Sequence, residues 1–200
     1  KDVGADALLS VTPYYNKSTQ TGLVRHFTYV ADRVDLPMIL YNVPSRTGIS
    51  FTAKTYAELS KHPNINGIKE ASGNFTLAAE THYLCGDSLY VWSGNDEQTV
   101  PLMSLGAIGV ISVVSNVAPR YMADMTAAWL SSDYKKAGKM QTEGFALCND
   151  LFLEVNPIPV KTAMNMMGMN VGPVRMPLCE MGAQNAEILA AMLKKYGLMK

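Results

Sequence analysis

The sequence predicts an α/β fold, a TIM-type (β/α)8 barrel whose first three strand–helix units lie outside these residues, with a C-terminal helical region. Three observations carry that prediction. Short apolar, β-rich runs alternate with amphipathic stretches five times before residue 130, and strand followed by helix, repeated, implies a parallel sheet. The dinucleotide fingerprint G-x-G-x-x-G follows none of these runs, which favours a closed barrel over an open nucleotide-binding sheet. Beyond Trp129 the strand pattern stops and helical patterning takes over.

The runs are Ala7–Val11, Met38–Tyr41, Asn66–Glu70, Leu89–Ser93 and Ile108–Val114, each bounded by Gly, Pro, Asn or Ser. Their near-continuous apolar character predicts strands buried on both faces. After the first run, Leu23, Phe27, Val30 and Val34 recur at the spacing of one helical face. Helices are also predicted over Thr52–Ser60 and Asn74–Cys85, which open on side chains suited to N-caps, and over Glu97–Leu105 and Pro119–Trp129. Asp133–Leu153 and Ala183–Tyr196 read as two further helices around a Pro- and Met-rich middle, with Ile188, Leu189, Met192, Leu193 and Tyr196 as an apolar stripe. An eightfold barrel typically takes about 250 residues. The expected division is therefore a partial barrel over 1–132, holding strands four to eight, and a helical region over 133–200.

Composition narrows the function. Lys plus Arg and Asp plus Glu both number 17, so no charge excess favours nucleic acid or a membrane surface, and a small ligand is expected. No apolar stretch reaches the roughly 20 residues of a membrane span, and the first residues lack the pattern of a signal peptide, so a cytoplasmic location is expected. Cys85, Cys148 and Cys179 have neither disulfide-framework nor zinc spacing and read as reduced structural thiols. The methionines, 13 in all, read as pliable packing rather than metal ligands.

In barrels the reacting groups stand where strands exit into loops. The exits here carry Thr12-Pro13-Tyr14-Tyr15, Tyr41 through Gly48, Lys69-Glu70-Ala71-Ser72 and Ser93-Gly94-Asn95-Asp96. Lys69 ends an apolar run, which would place its amine in the barrel mouth, where desolvation disfavours the charged form and frees it to attack a carbonyl. Position alone leaves an even alternative, a rim lysine that snorkels outward or pairs with Glu70. Lys161 competes as the reactive lysine, but it lies outside the strand series and reads as a surface lysine at a helix start. Tyr41 ends the preceding strand, so it can meet Lys69 and exchange protons with it; taken alone it reads first as an aromatic at the edge of the core with its hydroxyl in water. Arg46, in the loop beyond, suits a carboxylate through its bidentate fork, or is a solvated loop arginine.

These ordered motifs, Thr12-Pro13-Tyr14-Tyr15, Tyr41 through Gly48, Gly67-Ile68-Lys69-Glu70-Ala71-Ser72-Gly73, Ser93-Gly94-Asn95-Asp96 and Asn156 through Lys161, resemble the pyruvate-dependent class I aldolase family from about Gly4 to the end. Within it, the Ser45-Arg46-Thr47-Gly48 loop is similar to that of the dihydrodipicolinate synthases. The resemblance implies Lys69 as the Schiff-base lysine, Tyr41 as proton shuttle and Tyr15 as a tyrosine that crosses a subunit interface to extend the relay. It implies Arg46 as the holder of the aspartate semialdehyde carboxylate, and Gly94 and Ile111 as lining of the pyruvate pocket. Tyr14 resembles a residue of the dimer-contact and lysine-inhibitor region. A threonine of the tyrosine relay and the loop for the pyruvate carboxylate belong to family units outside these residues.

The implied reaction condenses pyruvate with L-aspartate 4-semialdehyde to 4-hydroxy-tetrahydrodipicolinate, on the path to lysine and diaminopimelate. The implied assembly is a homotetramer, a dimer of dimers, with L-lysine as a feedback inhibitor; no metal, nucleotide or other cofactor is called for. A sister aldolase of N-acetylneuraminate or a keto-deoxy sugar acid would keep Lys69 and Tyr41 without needing Arg46. A non-catalytic barrel fragment would leave Lys69 a paired rim residue.

Overall fold

A computed structural model describes residues 2–200, which divide into two compact units, one running to Ile111 and the other starting at Ser112. The first unit is a sheet of five parallel strands in chain order: β1 (Leu8–Val11), β2 (Met38–Asn42), β3 (Ile65–Glu70), β4 (Tyr90–Ser93) and β5 (Gly109–Val110). Between them run α1 (Gln20–Ala31), a short α2 (Pro44–Thr47), α3 (Ala53–Leu59), α4 (Phe75–Cys85) and α5 (Thr99–Met103). Sequential parallel strands joined by helices are the units of a (β/α)8 barrel, and five of them are present.

The helices begin where side chains can satisfy their first amides. Thr19, Thr52 and Asn74 accept hydrogen bonds from the backbone N–H groups of Gly22, Thr55 and Leu77 at the starts of α1, α3 and α4. One face of the sheet is sealed by these helices. Leu23 and Phe27 of α1, Leu40 of β2, Tyr56 and Leu59 of α3 and Ile68 of β3 are all buried there, and Phe51 stacks on Tyr56 at 4.6 Å between ring centres.

The opposite face departs from the expectation of burial on both sides. Leu9 and Tyr90 are each 50% exposed, and Val11, Ile39, Tyr41, Lys69 and Trp92 are only half-buried. In a closed barrel this face is the interior, covered by strands across the axis, and the five described strands hold no such partners for it. The apolar character of the runs reports an interior that a sheet of five strands does not enclose.

The second unit holds α6 (Pro119–Leu130), α7 (Tyr134–Glu143), α8 (Phe145–Asp150), α9 (Ile158–Met166) and α10 (Ala183–Lys195). The apolar stripe of α10 is partly confirmed: Leu189, Met192 and Leu193 are buried, while Ile188 is 42% exposed. Glu154 accepts from the Gly182 backbone N–H at 2.8 Å and from Asn185 Nδ2 at 2.9 Å, so a distant carboxylate supplies the start of α10 with its acceptor.

Two expected elements differ. The run Ile108–Val114 forms a strand over Gly109–Val110 alone, because the Ser112 hydroxyl accepts from the Ser115 backbone N–H and turns the chain into a tight helical turn at Val114–Asn116. The single helix expected over Asp133–Leu153 breaks at Gly144, where a Cβ would fall 2.8 Å from the Tyr121 ring, whose hydroxyl donates to the Met140 carbonyl at 2.6 Å. The Pro- and Met-rich middle contains α9. Pro157 is its N-cap and Pro159 falls in its first turn, where the missing N–H costs no helical hydrogen bond.

Phe27 is fully enclosed and stands 5.4 Å from the Phe51 ring. Phe27→Ala is expected to lower stability by about 3–5 kcal/mol, the usual cost of emptying an aromatic core site. Denaturant unfolding of the whole natural protein measures it; a loss under about 1 kcal/mol would place Phe27 outside the core.

Candidate active site

The parallel register determines which side chains meet at the strand exits. Val11, Tyr41, Lys69, Trp92 and Gly109 are successive register partners across all five strands, so the side chains of the first four share the inner face of the sheet. Lys69 Nζ lies 4.4 Å from the centre of the Tyr41 ring. Glu70, the next residue on β3, faces the opposite, helix-covered side and accepts from Asn42, Tyr56 and the Ser72 backbone. The alternative of a Lys69–Glu70 rim pair is therefore not what the chain adopts.

Two neighbours shape the floor beneath the amine. A Cβ on Gly67 would come within 2.4 Å of the Trp92 ring, which lies across that glycine one step below Lys69. A Cβ on Gly94 would stand 2.6 Å from Ala71 Cβ and 3.2 Å from Lys69 Cγ, so only glycine lets the exit of β4 come this near the lysine stem.

Burial is the largest influence on the charges. It pushes the Lys69 amine below the ordinary lysine value; the Asp96 carboxylate raises it and the Arg46 guanidinium lowers it again. Burial pushes the Tyr41 phenol up, with Arg46 pulling it partly back, so Tyr41 holds its proton at neutral pH. The pair is thus a lysine biased toward the free amine beside a phenol that can give and retake a proton. Because the unfolded chain binds the Lys69 proton more tightly, this group adds stability as pH rises between its folded and ordinary values.

Arg46 is exposed on α2 and lines a cleft with Leu9, Val11, Tyr14, Tyr41, Val43 and Thr47. Its helix closes on Gly48, which takes φ 70 in the left-handed region. The structure thus gathers Lys69, Tyr41, Gly94 and Arg46, with Tyr14 at the rim. Ile111 is half-buried at the exit of β5 and donates its backbone N–H to the Ser93 carbonyl at 2.9 Å. Tyr15 is not drawn in: it is 90% exposed, on a backbone with φ 62 that is uncommon outside glycine. In the second unit Lys161, on α9, donates to the Pro173 carbonyl at 2.5 Å.

Sequence reasoning missed Trp92, and it named Asn42, Glu70 and Asp96 only within the exit motifs, without their roles. The strand alternation could have found Trp92, since it precedes the Ser93 exit as Lys69 precedes Glu70. The influence of Asp96, buried in the turn after β4, needed the fold.

Comparison with known proteins bears on the same residues. The sequence model of the dihydrodipicolinate synthetase family matches residues 1–196. The chain belongs to this family. A 4-hydroxy-tetrahydrodipicolinate synthase of Thermoanaerobacter sp. (strain X514) is 55% identical over the whole chain, which spans 68% of that protein. Among solved structures, the chloride-inhibited dihydrodipicolinate synthase of Acinetobacter baumannii complexed with pyruvate is 43% identical with a TM-score of 0.95, over 99% of this chain and 68% of that one. The enzyme of Cyanidioschyzon merolae with lysine bound is 38% identical with a TM-score of 0.96, over 99% of this chain and 67% of that one. These likenesses make the fold a partial (β/α)8 barrel with C-terminal helices and place the chain in a family of lyases. Among the described residues no helix is long and apolar enough to cross a membrane.

Because Arg46 lowers the proton affinity of Lys69, Arg46→Ala is expected to move the Lys69 titration upward, still below the ordinary value of 10.5. Carbon-13 NMR of the labelled lysine ε-carbon in the whole natural protein follows it. A midpoint that stays put or falls would show that Arg46 does not reach the amine.

Proposed function

We propose that this chain carries the Schiff-base machinery of a 4-hydroxy-tetrahydrodipicolinate synthase, condensing pyruvate with L-aspartate 4-semialdehyde. The observation that carries the proposal is the register pair Tyr41–Lys69, an amine biased toward its neutral form with its nitrogen 4.4 Å from a protonated phenol's ring. The synthase names of the relatives support the choice of reaction.

The Lys69 amine attacks the ketone carbon of pyruvate, and water leaves to give an iminium. The protonated nitrogen withdraws electrons, so a proton leaves the pyruvate methyl group and an enamine forms; its carbon then bonds to the aldehyde carbon of the semialdehyde. Tyr41 exchanges protons during water loss and during delivery to the new alkoxide. The semialdehyde amine attacks the iminium carbon, closes the ring and releases Lys69. Burial serves this chemistry twice, by freeing the amine and by strengthening the electrostatic influence of the iminium on the adjacent carbon.

Arg46 clamps the carboxylate of the second substrate from the cleft it shares with Tyr41, and Gly94 and Ile111 line the pyruvate side. Tyr15, exposed and held in a left-handed backbone, reaches a neighbouring subunit of a homotetramer and extends the proton relay, with Tyr14 beside it at the contact where L-lysine inhibits. The assembly acts in the cytoplasm. A sugar-acid aldolase would share Lys69 and Tyr41, and a substrate panel separates the two.

Pyruvate followed by borohydride should add a stable mass to the peptide of Lys69 and to no other; a label on Lys161 would overturn the assignment. Arg46→Ala should slow imine trapping only by the loss of free amine that its upward shift of Lys69 brings, while weakening use of the semialdehyde by a further factor of roughly 10 or more, the worth of a charge-assisted hydrogen bond of about 1.5–3 kcal/mol. Steady-state kinetics with each substrate varied checks it, and equal loss in both steps would make Arg46 a structural residue.

A further inference from the structure

Directly behind the Tyr41–Lys69 pair, on the other face of the sheet, lies a second pair. Asn42 and Glu70 are register partners on β2 and β3, one residue beyond Tyr41 and Lys69. Because successive strand residues point to opposite faces, each residue of the back pair shares a peptide unit with one of the front pair. Glu70 is 5% exposed and Asn42 is fully buried. Asn42 Nδ2 reaches both carboxylate oxygens at 3.1 Å, the Tyr56 hydroxyl donates to Oε2 at 3.2 Å, and the Ser72 backbone N–H donates to Oε1 at 2.7 Å. Burial and the neighbouring carboxylate hold the Tyr56 proton far more firmly than usual, so that phenol remains a donor.

We propose that Glu70 is a positioning residue for the reactive lysine. Its carboxylate joins β2 through Asn42, α3 through Tyr56 and the turn after β3 through Ser72, so that the peptides carrying Tyr41 and Lys69 are tied at a fixed offset. A buried carboxylate needs all its donors, and that requirement makes the offset stiff rather than merely favourable. The action is geometric. The charges that act on the Lys69 amine are those of Asp96 and Arg46. This inference rests on the Schiff-base reading above and assigns to it a residue that touches neither substrate nor the amine.

The test uses the whole natural protein as wild type, as Glu70→Gln, and as Asn42→Asp combined with Glu70→Gln. The double change keeps both side-chain lengths and exchanges amide for carboxylate, restoring an acceptor opposite a donor. The readouts are the rate of pyruvate-dependent borohydride trapping on the Lys69 peptide, kcat, KM for pyruvate and the thermal midpoint. Glu70→Gln is expected to slow trapping and kcat about 10-fold or more with KM changed less than about twofold, since small misplacements of a reacting group act on rate. The double variant is expected to recover most of that loss. If Glu70→Gln does not fold, Tyr56→Phe, which removes one donor and keeps the ring, is expected to slow trapping by about threefold at unchanged fold content.

A folded Glu70→Gln that traps at the wild-type rate overturns the inference. So does a double variant that regains thermal stability but not rate, or, where Glu70→Gln is unfolded, a Tyr56→Phe variant at full rate. A wild type that traps nothing at Lys69 removes the Schiff-base reading and this inference with it, whereas normal wild-type trapping with an unimpaired Glu70→Gln removes this inference alone.

Discussion

Parallel pairing of β2 with β3 sets Tyr41 opposite Lys69 and Asn42 opposite Glu70, and nearly every property of the site traces to those two rungs of one ladder. A strand repeats every two residues, so the same backbone that presents a phenol and an amine on the inner face must present an amide and a carboxylate on the outer one. A slip of one residue would bury the lysine among the helices and turn the carboxylate toward the barrel mouth. The burial of Glu70 and Asn42, with their hydrogen bonds to Tyr56 and Ser72, opposes such a slip, because breaking the network would leave a carboxylate without donors in the core.

The electrostatics of the inner face follow from how much water that rung retains. Lys69 is half-buried, and loss of hydration outweighs the pull of Asp96, with Arg46 acting in the same direction as burial. Arg46 acts in one direction on both groups: it makes the amine easier to deprotonate, and it offsets part of the burial that raises the phenol. Gly94 and Gly67 serve the same rung by absence of side chain, one admitting the lysine stem and the other the Trp92 ring.

Much of this was legible beforehand for physical reasons that act locally. Short apolar runs between turn formers pointed to strands, and capping side chains such as Thr52 and Asn74 mark helix starts because they satisfy the nearest amides. The meeting of Tyr41 with Lys69 needed only their places at the ends of consecutive strands. The break of the helix expected over Asp133–Leu153 was not legible: it falls at Gly144, where a Cβ would meet the ring of Tyr121, 23 positions earlier in the chain.

The sequence by itself determined the fold class, the order of the strands, the candidate lysine with its tyrosine and arginine, and the family resemblance, since each rests on local periodicity or on short ordered motifs. Only the tertiary structure decided which face of β3 the lysine takes, which carboxylates act on it and which serve the scaffold. Glu70 and Asp96 are both acidic residues in strand-exit motifs; one is held behind the sheet by Asn42 and Tyr56 while the other raises the proton affinity of Lys69. The reason is that electrostatic and packing interactions depend on distance in space, and the pairing of strands, not position along the chain, sets that distance.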